Sequence, residues 1–547
     1  MKSSAYYFAA LLCIMGLCQK ATAQNPALII KVQRPSERSV FRVGERNFGA
    51  TDRVNPGDED ERYSYRAGEC LVADLDGDSE LEFILRWTPS NERSIESKGL
   101  SGNTIIDAYK ADGTLMWRID LGHNIRSTSP ATPLVVDDLD GDGCAELICR
   151  SADGTVDGEG RVLGNPRADW RSMDEASSTY SRTVVGPEYI SVFDGKSGKE
   201  MARSKFMPLR YPLDSWGGIG GSDPTGVNSD RLVGGSASIG GSAKAAFFVR
   251  GGRARIAVSA WGWDGKDLKM LWMFDSLEKG CERASASGST TAIALDIDSD
   301  GKDEILLGSA VLDDDGSLMS ASGLLYGGDF QAFDIDPKRK GTEVFGSHEA
   351  TSALALWKGE SAMAMYDATT GEVIWQEGKG EKVEKVLAAD IDPRHKGAEC
   401  WVADAVTVQP RFQPGRRPAG NGPGGNGAVI KKDYDGPLKG LRRASDGKLI
   451  SSKQPSACLG VLSWDSDSEK ELLAEDAILK WDYVNEKTDT VLKVEGVMKK
   501  PLLCGDILGG AGDEVVWISE DQSELRVFTC TSDQVYGKPS ARELHRR

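Results

Sequence analysis

Histidine is scarce in this chain, four in 547 residues. None of His123, His348, His395 and His545 falls in a His-Glu-x-x-His pair or beside a Gly-x-Ser-x-Gly elbow, so zinc-protease and serine-hydrolase chemistry have no footing. No Cys-x-x-Cys occurs either, which removes zinc-finger and thioredoxin-like readings. Basic residues are outnumbered, 66 Lys+Arg against 84 Asp+Glu, for a formal charge of −18. Phosphate recognition needs a basic face, so nucleic acid is excluded as a partner. Beyond the first two dozen residues no run is apolar enough to enter a bilayer, which excludes a multispan membrane role. Proline is modest at 21 and glycine abundant at 63, a balance that favours many tight turns over long helices.

The apolar exception is Met1 to Gln24: Lys2, then Phe8 to Cys18, then Ala21-Thr22-Ala23. This is the layout of a secretory signal peptide over 1–23, which predicts a secreted or periplasmic protein, off the membrane after cleavage and monomeric. Leu12 and Leu17 stand where a lipoprotein needs a small residue before Cys13 or Cys18. Eight cysteines remain, Cys70, Cys144, Cys149, Cys281, Cys400, Cys458, Cys504 and Cys530. Their even number permits disulfides, while the apolar runs around many of them suit buried thiols equally well.

One unit recurs: a short apolar run, an Asp-rich loop, a Glu and a second apolar run. It reads Asp74-Leu-Asp76-Gly-Asp78 with Glu82, Asp138-Leu-Asp140-Gly-Asp142 with Glu146, and Asp296-Ile-Asp298-Ser-Asp300 with Glu304. Looser copies carry Asp334, Asp336 and Glu343; Asp390, Asp392 and Glu399; Asp465, Asp467 and Glu471; and Asp506 with Glu514. Most are followed by a hairpin with an Asp-Gly or Thr-Gly turn, such as Asp112-Gly113 or Thr370-Gly371. About four short antiparallel strands per repeat make one propeller blade. Ala245 to Phe274 has the strands without the acidic loop, and counting it gives eight blades. Blades must stack in a ring to bury both faces. The predicted organisation is all-β, with a short N-terminal β segment at 24–66, an eight-bladed β-propeller at 67–535 interrupted by insertions at 151–187 and 408–432, and a basic tail at 536–547.

In the tight copies carboxylates fall at positions 0, 2, 4 and 8, so the Asp triplet converges on one side of the turn while the Glu closes the shell. Gathered hard oxygens repel one another unless a cation sits among them, and in that number they suit Ca²⁺. The expected ligands of several calcium ions are therefore Asp74, Asp76, Asp78, Glu82, Asp138, Asp140, Asp142, Glu146, Asp296, Asp298, Asp300, Glu304, Asp334, Asp336, Glu343, Asp390, Asp392 and Glu399. Two readings stand: the ions pin the blades, or one faces a cleft and holds a sugar carboxylate. The tryptophans at strand ends (Trp87, Trp117, Trp375, Trp517) read as core plugs. An acidic protein handling an acidic polymer needs a bridging cation or a local arginine patch.

The runs Ile84-Leu-Arg-Trp87-Thr-Pro89-Ser90-Asn91, Asp107-Ala-Tyr109-Lys, Trp117-Arg-Ile-Asp-Leu-Gly122, Ala152-Asp153-Gly154-Thr155, Gly186-Pro187-Glu188-Tyr189 and Leu479-Lys-Trp481-Asp482 resemble bacterial rhamnogalacturonan lyases of polysaccharide lyase family 11, from about Ala67 to Thr531. The resemblance implies a calcium-loaded eight-bladed propeller that cleaves the rhamnose–galacturonate backbone of pectin by β-elimination, with an acidic polysaccharide as partner. It departs from the family where histidine-bearing runs give way to Ser127 to Pro133, Ser289-Thr290 and Leu325 to Gln331, and in a shorter C-terminal segment. Elimination needs a cation or arginine on the uronate carboxylate, a base, and help for the leaving oxygen. The catalytic candidates are Arg126, His123, Tyr326 and Arg150, and the substrate-binding candidates Asn91 and Asp107. The expected activity is calcium-assisted lysis of rhamnogalacturonan or a related uronate polymer. The rival readings are a non-catalytic glycan-binding or scaffold propeller and an integrin-type interaction propeller.

Overall fold

A computed structural model describes residues 25–40, 62–218, 221–239, 244–408, 430–465, 467–510 and 512–530. The signal peptide, the basic tail, residues 41–61 and the centre of the 408–432 insertion lie outside the described residues.

Alternating apolar residues hidden on both faces make the second strand of each repeat a central one. In Glu82–Pro89 every side chain is buried, with Phe83, Leu85 and Trp87 turned one way and Ile84 the other. The eight four-stranded antiparallel sheets form an eight-bladed β-propeller. Their first strands are Tyr65–Ala73, Leu134–Asp137, Leu232–Ala237, Ile293–Leu295, Gly327–Phe333, Val386–Ala389, Gly460–Leu462 and Leu503–Gly505 in blades 1 to 8. First strands of neighbouring blades meet around the axis, and blade 8 meets blade 1. Eight buried apolar clusters fill the ring, one per blade interface; Val515 and Trp517 of blade 8 join Ile478 and Leu492 of blade 7, for example. Ala245–Gly251 and Ile256–Trp263 belong to blade 3, the blade without an acidic loop.

Ring closure comes from the N-terminus. Leu28–Lys31 pairs antiparallel with Glu524–Phe528 and supplies the outer strand of blade 8, so part of the N-terminal β segment belongs to the propeller. In blade 6 the arms of the 408–432 insertion pair as Ala405–Val408 with Ile430–Asp433. All eight described cysteines are free thiols.

A tryptophan latches three of the interfaces, 1–2, 3–4 and 5–6. Trp117, Trp272 and Trp375, on outer strands of blades 1, 3 and 5, donate indole N–H groups to Gly195, Asp314 and Ala444 in the hairpins of blades 2, 4 and 6, at 2.7, 2.8 and 2.6 Å. Beneath each ring lies a glycine at positive φ (Gly198, Gly316, Gly447). A Cβ there would stand 2.8, 2.6 or 2.7 Å from the indole, so no other residue fits. Trp117→Phe leaves the Gly195 carbonyl buried and unpaired. It should cost about 1–3 kcal/mol in a urea melt.

Because each blade meanders, strand 1–2 and strand 3–4 connections emerge at one end of the ring. Strand 2–3 and blade-to-blade connections emerge at the other. The acidic loops are strand 1–2 connections, so all lie on one face.

Candidate functional site

The Glu of every acidic loop has a first duty to the backbone. Glu82, Glu146, Glu304, Glu343, Glu399, Glu471 and Glu514 accept the N–H of Leu75, Leu139, Ile297, Ile335, Ile391, Trp464 and Ile507 at 2.6–3.1 Å, clamping the turn. What the remaining oxygens do differs by blade. In blade 7, Lys480 on the neighbouring strand lies 2.7 Å from Glu471 and 3.2 Å from Asp465, and also bonds Asp467. In blade 1, Lys110 lies 2.6 Å from Asp76 and 3.1 Å from Asp78. In each loop the ammonium offsets one charge of a cluster whose oxygens, those of Asp74, Asp76 and Asp78 and of Asp465, Asp467 and Glu471, also lie within 4.8 Å of one another.

At that cross-strand position blades 2 and 4 carry Asp194 and Asp313 instead of lysine. Oxygens of Asp138, Asp140 and Glu146, of Asp296, Asp298 and Asp300, and of Asp298, Glu304 and Asp313 lie within 4.8 Å of one another. Burial and the neighbouring aspartates push Glu146 up to about 8, and burial pushes Glu304 up to about 7. Glu304 is fully buried, and its Oε1 has no hydrogen-bond partner. A divalent cation fits there; Asp142 instead turns to the Cys144 N–H at 2.8 Å. In blades 5 and 6 the Oε1 of Glu343 and of Glu399 is likewise buried without a hydrogen-bond partner, but the aspartates stand further off. Asp334, Asp336 and Glu343, and Asp390, Asp392 and Glu399, bring no three oxygens so close among the described residues. Arg394 takes Asp392 in a fork at 2.6 and 2.8 Å.

The opposite face holds a pocket lined by Ser101, His123, Asn124, Ile125, Arg126, Arg150, Arg171, Ser181, Thr183, Arg210 and Asp230. Arg126 precedes the first strand of blade 2, and Arg150 lies on its second strand, Glu146–Ser151. Arg171 comes from the 151–187 insertion, and Arg210 from the connection to blade 3. Arg150 stands four residues beyond Glu146, about 13 Å along the strand from the acidic loop at 3.3 Å per residue. An ion held in an acidic loop would therefore lie at the far end of the blade from this pocket.

Four arginines face one carboxylate in the lining, within a chain of charge −18. Behind them Glu188 forms ion pairs with Arg150, Arg210 and Arg250 at 2.6, 2.8 and 2.8 Å. Burial alone would raise Glu188, yet the three guanidiniums hold it well below the carboxylate range. Arg171 pairs with Asp169 at 2.7 Å. Arg126 differs: its Nε and Nη2 donate to the Ser94 and Ser97 carbonyls at 2.5–3.2 Å, and among the described residues it forms no ion pair. Burial, then Arg182, lowers its pKa to about 10. Its direct partners are carbonyls, with the Asp230 and Glu96 carboxylates acting on it only from a distance, an arrangement that favours an anion in the pocket. His123 bonds the Ala168 carbonyl through Nε2 at 2.8 Å, and burial lowers its pKa, so it is neutral near pH 7.

Thus Arg126, His123 and Arg150 share one pocket, which Tyr326 does not line. Its hydroxyl accepts from Arg231 at 3.1 Å, and its ring sits 5.4 and 4.8 Å from the Arg231 and Arg253 guanidiniums. Asp107 is corrected as a substrate ligand. It is fully buried and accepts from Trp87, Tyr109 and Arg118 at 2.7–2.8 Å. Asn91 accepts the Gly102 N–H at 2.9 Å, closing its own loop. His395 lies in the Asp392 loop on the far face, while His348 is fully buried and kept neutral, its pKa lowered to about 4. Arg171, Arg210 and Asp230 escaped sequence reasoning because insertions and connections follow no repeat.

A family model described as Rhamnogalacturonan lyase family 11, C-terminal domain, matches residues 51–537. The rhamnogalacturonan endolyase YesW of Bacillus subtilis is 36% identical over 477 residues, 86% of this chain and 68% of its own. The exolyase YesX of the same organism is 37% identical over 484 residues, 86% and 72% respectively. The YesW crystal structure aligns with a TM-score of 0.76 at 34% identity, covering 92% of this chain and 75% of that one. A Bacillus licheniformis rhamnogalacturonan lyase aligns equally well, at 0.76, 34%, 92% and 75%.

Proposed function

The chain belongs to rhamnogalacturonan lyase family 11 and is a polysaccharide lyase, and we propose that it cleaves rhamnogalacturonan by β-elimination with the uronate carboxylate seated in the arginine pocket. The observation that carries this reading is Arg126, a buried guanidinium whose hydrogen-bond partners are carbonyls and which forms no ion pair among the described residues. Ion pairing there withdraws charge from the uronate carboxylate and acidifies the hydrogen on the adjacent carbon. Neutral His123 takes that proton, the C–H electrons become the new C=C bond, and the glycosidic oxygen on the next carbon departs with its bonding pair and is protonated by water. The enzyme is exported by its signal peptide and works on the polymer outside the cytoplasm. No described helix is long and apolar enough to cross a membrane.

The direct test is ultraviolet absorbance of the unsaturated uronate. Absorbance should rise on rhamnogalacturonan and stay flat on a carboxyl-reduced polymer. A flat trace on both, with intact glycan affinity, would replace the lyase reading with a binding propeller. The pH profile tests the base. Burial lowers the His123 pKa below the ordinary 6.5. Activity needs the neutral ring, so the acid limb of kcat/KM should bend below pH 6.5 and rate should fall as pH drops through that bend. His123→Ala should remove the limb.

Calcium, in this reading, is structural and held by blades 2 and 4, through Asp138, Asp140 and Glu146, and through Asp298, Glu304 and Asp313. There it would supply charge neutralisation that Lys110 and Lys480 supply in part in blades 1 and 7. Each ion at about 100 times its Kd stabilises by about 2.7 kcal/mol. Chelator should therefore lower Tm, while elimination well below the new Tm continues at its original rate. Loss of activity in folded, chelated protein would return calcium to the reaction.

A further inference from the structure

We propose that Trp170, carried by the 151–187 insertion, is the platform on which a pyranose ring of the polysaccharide stacks beside the arginine pocket. This rests on the reading of the pocket given above. The tryptophans of the blades and their connections are largely buried as plugs: Trp87, Trp117, Trp216, Trp261, Trp401 and Trp517 are at most 3% exposed. Trp170 is 37% exposed, yet fixed. Its indole N–H donates to Asp153 at 2.9 Å, and its backbone N–H to the pocket-lining Asn124 at 2.8 Å. Two residues earlier, the Ala168 carbonyl accepts from His123 at 2.8 Å and Asn124 at 2.9 Å, and the next residue, Arg171, lines the pocket. The segment bearing Trp170 is thereby stapled to the pocket wall.

The ring is backed by Gly186, at φ +115°, where a Cβ would come within 2.5 Å of the indole Cγ. This is the glycine-backed seat of the blade latches, but here the indole is left partly in water beside a charged pocket. With its N–H capped and one side supported, the indole offers solvent a rigid aromatic surface. Pyranose rings present patches of C–H to such surfaces, and an aromatic held in one rotamer binds them at little entropic cost. A platform on the wall that holds His123 would set the angle at which the neighbouring uronate enters.

Steady-state kinetics on rhamnogalacturonan oligosaccharides tests this. Trp170→Ala should raise KM about tenfold, the equivalent of about 1.4 kcal/mol, with kcat much less affected. Trp170→Phe should restore most of the affinity. Gly186→Ala, which pushes the indole off its seat, should act like the alanine variant. Oligosaccharide should also shift the tryptophan fluorescence of the parent protein, and the shift should be absent in Trp170→Phe. An active parent whose Trp170→Ala variant is folded and has unchanged KM would overturn the platform and leave the lyase assignment standing. A parent that neither binds nor cleaves the oligosaccharide would overturn both.

Discussion

Arg126→Ala should lower kcat/KM on rhamnogalacturonan by about 10²–10³-fold, the range seen when one preorganised donor to a developing charge is removed. The folded chain pairs this guanidinium with two carbonyls and no carboxylate, so the deletion strips positive charge from the pocket without stranding an acid. Arg126→Lys keeps the charge but loses the fork that reaches Ser94 and Ser97 while facing the pocket. It should recover only part of the rate. The loss should fall on both kcat and KM, since the carboxylate is bound in the ground state and gathers charge as the proton leaves.

The second large effect is on stability. Glu188→Gln takes the shared anion from Arg150, Arg210 and Arg250 and leaves Arg150 and Arg210 only the longer pairs with Asp230, at 3.6 and 3.9 Å. Removing one partner of a buried ion group costs about 3–5 kcal/mol. A urea melt should show that loss, with activity falling alongside because Arg150 and Arg210 line the pocket. The same group dictates an acid response. Glu188 titrates below its ordinary 4.5 in the folded state. Its stabilisation is therefore complete above about pH 4.5 and drains away as pH falls towards the depressed value. The parent should lose stability in that window, and Glu188→Gln should lack that component.

Much of the ring was legible because repeats advertise themselves. The acidic loop, Glu and Asp-Gly hairpin located seven blades, and the bare strands of 245–274 located blade 3. Closure was not legible: Leu28–Lys31 and Glu524–Phe528 are nearly five hundred residues apart, and nothing local in Leu-Ile-Ile-Lys names its partner. The loops were read correctly as charge clusters, but the neutralising group sits on another strand. Reading Lys110, Asp194, Asp313 and Lys480 against the Glu opposite them would have separated the loops that carry a lysine from those that carry a further aspartate. A related signal went unused for the pocket. Arg86, Arg150 and Arg250 occupy the same place in the second strands of blades 1 to 3, four residues past Glu82, Glu146 and Ala246. Aligning the repeats on strand 2 would have drawn attention to that arginine row. Asp107 misled because strand alternation does not reveal that Trp87, Tyr109 and Arg118 had already claimed its oxygens.

In the proposed mechanism arginines on the face away from the acidic loops grip the uronate carboxylate. Calorimetric titration with a rhamnogalacturonan oligosaccharide and with its carboxyl-reduced twin measures that grip alone. Binding of the acidic form should be at least about a hundredfold tighter, roughly 2.7 kcal/mol, and should survive chelation in folded protein. Equal affinity for the two forms, or a preference that vanishes with calcium, would contradict it.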